Sequence, residues 1–173
     1  MKIIFKNKLL KAQKGQVMVE SIIAISVLVI GLLGIFTLLS RSLSLNRVIA
    51  DQSVATHLAA EGIELVKSRL DRNALLNAGG SAVPWNDGIN RGDYEMDFND
   101  SALAINQNRK LNFDSGSGQY SYDSGAPTTF QRLIAIGPSP DGNEIKVNSL
   151  VNWTTRGGGQ FEVNLEDHFF NWR

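Results

Sequence analysis

The sequence predicts an α+β fold. One long N-terminal α-helix, transmembrane in its first half and amphipathic in its second, packs on a small C-terminal antiparallel β-sheet. Three observations carry this expectation. Residues 21–40 contain no charged side chain, and the apolar positions that follow recur every three or four residues as far as residue 77. Beyond Gly79 that period gives way to strict alternation among segments rich in Asn, Asp, Ser and Gly.

The N-terminus is basic. Lys2, Lys6, Lys8, Lys11 and Lys14 precede Gly15 with no acid among them, so residues 1–15 read as a leader. Although the formal net charge is zero, the remainder holds 12 basic residues against 17 acidic ones. A mildly acidic body offers no electrostatic footprint for nucleic acid. With 173 residues the chain has room for one domain and an appendage. It has no cysteine, which excludes disulfides, thiolate zinc sites and cysteine nucleophiles.

Residues 16–40 form the transmembrane part of the helix, since twenty residues at helical rise span ~30 Å, the thickness of a bilayer's hydrocarbon core. Lys11 and Lys14, with the rest of the leader, outweigh Arg41 and Arg47 on the far flank. The positive-inside rule then gives a single-pass inner-membrane protein with a cytoplasmic N-terminus. Residues 41–77 continue the helix. Leu45, Val48, Ile49, Ala55, Leu58, Ala59, Ile63, Val66 and Leu70 share one face, while Arg47, Asp51, Glu61, Glu64, Lys67 and Arg69 occupy the rest. Asn77, Gly79 and Gly80 supply the stop.

Residues 78–173 form the β-rich domain. In GDYEMDFND, Tyr94, Met96 and Phe98 are expected on one face and Asp93, Glu95 and Asp97 on the other. FQRLIAI, IKVNSLVNW and QFEVNL read as further strands, joined through GPSPDGNE and TTRGGGQ as hairpins. Ile145, Val147, Ser149, Val151 and Trp153 share a face, as do Phe161, Val163 and Leu165. The striped half of the helix is the natural cover for the dry side of this sheet. Residues 73–92 and the stretch NFDSGSGQYSYDSGAP are loop-rich and show no clear period.

Gly15 stands before the apolar run, whereas a secretory signal carries its small-residue cleavage site after it. A cut after Gly15 removes the leader, keeps the apolar helix, and leaves Gln16 first and Glu20 fifth. A lone carboxylate in a membrane helix costs about 2.5–3.5 kcal/mol on insertion scales, so Glu20 is expected at the interface or beside a counter-charge.

The leader KAQKG, then QVMVE, then an uncharged apolar helix, resembles the processing site of type IV prepilins and of the pseudopilins of type II secretion. More loosely, AAEGIELVKSRL and LVNWTTRGGGQFEVNL are similar to V-type minor pilins and I-type pseudopilins. The resemblance implies a pilin-like fold, cleavage after Gly15 by a prepilin peptidase, N-methylation of Gln16, and a role for Glu20 in processing and assembly. The Gln16 amine would be the counter-charge of Glu20 in a filament. It also implies the partners: the peptidase, other pilin or pseudopilin subunits, an inner-membrane assembly platform and the lipid bilayer. Small residues at Ala24, Ser26, Gly31 and Gly34 would let neighbouring helices approach. The processed subunit would belong to a surface or periplasmic filament. Three departures stand out: Gln16 where the family usually has phenylalanine, no proline in the apolar helix, and no C-terminal cysteine pair. The first and last favour a minor subunit.

Nothing points to an enzyme or a cofactor. No serine sits in a nucleophile elbow and no glycine-rich loop opens a helix. His57 and His168 lack ligand spacing, and the aspartates of DFND and PSPDGNE lack the spacing of a calcium loop, so no metal is assigned. The aromatics of EDHFFNWR are expected to bury against the sheet. The alternative reading is an uncleaved signal-anchored membrane protein with an extracytoplasmic binding domain.

Overall fold

The computed structural model describes residues 3–171, with side chains from Gly15 onward. One helix, α1 (Ile3–Ala78), precedes seven strands: β1 (Gly92–Glu95), β2 (Ala104–Ile105), β3 (Lys110–Asp114), β4 (Gln119–Ser121), β5 (Ala126–Pro138), β6 (Glu144–Thr154) and β7 (Gln160–Phe170). The helix ends as its glycines predict. Gly80 takes a φ of +90°; its N–H donates to the Asn77 carbonyl, and that of Ser81 to the Leu76 carbonyl, both at 3.1 Å. This paired closure satisfies the last carbonyls and favours glycine at the left-handed position.

The chain divides into two compact units, Met1–Arg47 and Val48–Arg173. In the first, every large apolar side chain between residues 17 and 39 is exposed. Ser21, Ser26 and Thr37 turn their hydroxyls back onto carbonyls four residues earlier, at 2.7–2.9 Å. Those hydroxyls therefore need no water. With a mean hydropathy of 2.9, this helix is long and apolar enough to cross a membrane once.

In the second unit α1 covers one face of a seven-stranded antiparallel sheet. β5 is its spine. β6 runs along one edge of β5, while β1 and β3 lie end to end along the other, Tyr94 opposite Ile134 and Lys110 opposite Gln131. β2 flanks β1, β4 flanks β3, and β7 flanks β6. The expected face of β6, Ile145, Val147, Ser149, Val151 and Trp153, is buried throughout. One core cluster joins Ala55, Leu58 and Ala59 to Leu111, Tyr122, Phe130, Val151 and Trp153. A second joins Val66 and Leu70 to Ile89, Met96, Ile134, Ile136, Ile145 and Val147.

Several expectations need correcting. The buried face of α1 begins near Val54 and Ala55, since Leu45 and Ile49 are more than 60% exposed. The alternation of GDYEMDFND fails from the last residue of β1 onward: Glu95, Met96 and Asp97 are all buried and Phe98 is exposed. The reason is that β1 ends at Glu95, and the next residues turn inward, tied by side-chain bonds described below. The loop-rich stretch NFDSGSGQYSYDSGAP contains β4, most of β3 and the start of β5. In the terminal segment Phe169 packs on the second core cluster, Phe170 is 45% exposed, and Trp172 lies outside the described residues.

Candidate functional site

Gly15, Gln16 and Glu20 all lie on α1. Gln16 and Glu20 are four residues apart and so share a helix face. Together with Gly15, Val19, Ile23 and Ala24 they line a shallow trough along it. Glu20 is exposed and makes no hydrogen bond or ion pair among the described residues. It is the single charge on a surface of methyls and methylenes. A side chain at position 15 would meet nothing within 4 Å, so packing does not explain the glycine there. Its effect is on the backbone: glycine weakens a helix interior by about 1 kcal/mol relative to alanine, which eases local unwinding here.

A second polar cluster, in the globular unit, was not legible as a site. Arg132, within the apolar strand FQRLIAI, is 2% exposed and faces α1. Its guanidinium donates to the carbonyls of Leu58 (3.1 Å) and Met96 (2.5 Å) and lies 3.3 Å from the Glu61 carboxylate. Beside it Gly62 brings the helix against the sheet: a Cβ there would stand 2.3 Å from Ser149 Oγ and 3.2 Å from Arg132 Cδ. One arginine thus fastens helix, strand and loop at the seam between the two core clusters.

The loops around β1–β4 are closed by carboxylates. Glu95, fully buried, accepts the N–H groups of Gln107 and Arg109 and the Arg109 Nε–H at 2.7–3.0 Å. Burial pushes its carboxyl up, but these donors and the guanidinium together outweigh burial and hold it below the ordinary range. Arg109 also lies 4.6 Å over the Tyr122 ring. Asp97 accepts the N–H groups of Asn99 and Tyr122, and Asp141 accepts from Ser139 and Asn143. In the two loops considered for calcium, these carboxylates therefore accept hydrogen bonds from the protein itself. Among the described residues no group of three or more His, Asp or Glu side chains is placed to hold a metal.

His57 and His168 are both exposed. His168 sits on the outer face of β7 between Glu144 and Glu166, which raise its pKa, Glu144 most. Glu166 in turn is held down at about 2 by Lys146, with Asn148 and His168 adding to it. At the far end of the hairpin Trp153 stacks on Phe161 with ring centroids 5.6 Å apart. No family model, no curated protein and no solved structure matches this chain.

Proposed function

We propose that this protein is a structural, minor subunit of a type IV pilus or type II secretion pseudopilus. Prepilin peptidase cuts it after Gly15, Gln16 is N-methylated, and residues 16–40 form both the membrane anchor and the packing surface of the filament. The observation that carries the reading is Glu20, an unpartnered carboxylate on an otherwise uncharged helix, one turn from Gln16 on the same face. Once the 15–16 bond is cut, a new amine begins that same helix. In an apolar bundle, a Glu20 carboxylate and a Gln16 amine on a neighbouring subunit form a charge-assisted pair, strong because water is absent, which sets axial register. The pre-assembly orientation is cytoplasmic N-terminus and exported domain, from the lysine leader.

Mass spectrometry of the membrane-extracted chain tests this: the expected N-terminus is methylated Gln16, and a chain beginning at Met1 in cells that assemble the filament overturns it. The uncleaved anchor remains the second reading, and one observation favours it: α1 runs unbroken through residue 15.

A further inference from the structure

β7 pairs with β6 over all eleven of its residues without a bulge, and among the described residues no strand pairs with its other edge. The remaining edge strands, β2 and β4, have only two and three residues. Thr155 N–H donates to the Gly159 carbonyl and Asn171 N–H to the Asn143 carbonyl, which fixes the odd-numbered residues of β7 as those bonded to β6. The even-numbered ones, Glu162, Asn164, Glu166 and His168, direct N–H and C=O away from the sheet. His168 confirms it: its N–H reaches the side chain of its own neighbour, Asp167 Oδ1, at 2.8 Å. A long, unbulged edge with such groups is a template for another strand.

We propose that β7 is a self-association edge, on which the β7 of a second copy of this chain docks antiparallel about a two-fold axis at Leu165. The side chains select both the partner and the register. Centred on Leu165, the strand's midpoint, Phe161 faces Phe169, Glu162 faces His168, and Asn164 faces Glu166. Each pair occurs twice by symmetry. The aromatic pair falls on one face and the acid–imidazole pair on the other, and cross-strand pairs of these types stabilise a ladder. Shifting the centre to Asn164 sets Glu162 against Glu166. Shifting it to Glu166 or Asp167 sets that acid against itself, and shifting it to Val163 leaves Asp167, His168 and Phe169 with no opposing strand. The least favourable contact in the proposed register is Val163 opposite Asp167, whose carboxylate must also release the His168 N–H. The edge is therefore reversible rather than permanent. This proposal is independent of the filament reading.

The chain has no cysteine, so an introduced one reports only its own neighbours. In the full-length protein in detergent micelles, Leu165→Cys should oxidise to a covalent dimer, because residue 165 faces itself across a pair with Cα atoms ~4.5 Å apart, within disulfide reach. Val163→Cys and Asp167→Cys should cross-link when mixed and not alone. Glu162→Cys mixed with His168→Cys gives the same register from two exposed positions, should the loss of Leu165 disturb the core. Asn164→Pro, which removes an outward N–H and no backbone bond to β6, only the exposed side-chain bond from Asn148 at 3.3 Å, should lower cross-linking about tenfold with the circular dichroism unchanged. Equal cross-linking at 163, 165 and 167, as association through the apolar helix alone would give, overturns the proposal. So does its absence both at 165 and in the 162/168 mixture.

Discussion

The two stretches of α1 on either side of residue 47 share a backbone and differ in everything that surrounds it. Between residues 17 and 39 the apolar side chains cover the whole circumference and all are exposed. From Ala55 to Leu70 they are confined to a stripe, and Ala55, Leu58, Ala59, Val66 and Leu70 are buried on the sheet. A uniform apolar surface suits a partner without shape, such as lipid or a bundle of like helices. A stripe suits one partner of fixed shape. The difference extends to the glycines: Gly31 and Gly34 face open space, whereas Gly62 is filled to contact by Ser149 and Arg132.

That contrast can be broken most strongly at the seam. Arg132→Ala should destabilise the globular unit by about 3–5 kcal/mol, because it leaves the Met96 carbonyl without a donor, Glu61 without its cation, and a cavity between the core clusters. A denaturant titration of tryptophan fluorescence would read this, with membrane insertion unchanged. The complementary variant is Ile30→Arg, in the middle of the uncharged run. It should make insertion less favourable by about 3 kcal/mol, seen as a smaller carbonate-resistant fraction, and should leave the fluorescence titration where it was. A variant that moved both readouts would mean that the two stretches do not behave separately. A smaller effect is expected for Gly62→Ala. Alanine is the better helix former, yet its methyl meets Ser149 at 2.3 Å, so the net change should be a loss of about 1–2 kcal/mol. Ser149→Ala in the same chain should recover part of that loss, since Ser149 Oγ has no hydrogen-bond partner to forfeit. At Gly31, where there is room, the same change to alanine should cost nothing in the domain.

The sequence was most informative where periodicity and length govern. The uncharged run, the stop at Gly79 and Gly80, and the alternation of β5, β6 and β7 are local patterns with one physical cause each. It was least informative between residues 73 and 126. There the order comes from single long-range ties that leave no period: Asn73 donating to the Trp85 and Asp87 carbonyls, Glu95 collecting Gln107 and Arg109, Asp97 accepting from Tyr122. Such carboxylates look solvent-facing when only alternation is considered. Arg132 was hidden for the same reason, as its role depends on Leu58 and Met96, residues remote from it in the chain. Of the proposed assembly site, the spacing of Gly15, Gln16 and Glu20 was legible in the sequence. What the fold adds is that all three line one trough.

The order of these elements along the polypeptide also governs how the domain comes into being. The stripe on α1 is synthesised first, and the residues that cover it, Val147, Val151 and Trp153 among them, emerge roughly eighty to a hundred residues later. Hairpins β5–β6 and β6–β7 close short loops and form quickly, while β1 must wait for β5 across a much longer one. A ribosome stalled before β6 would therefore present the amphipathic stretch of α1 with only the part of its cover that β1, β3 and β5 supply.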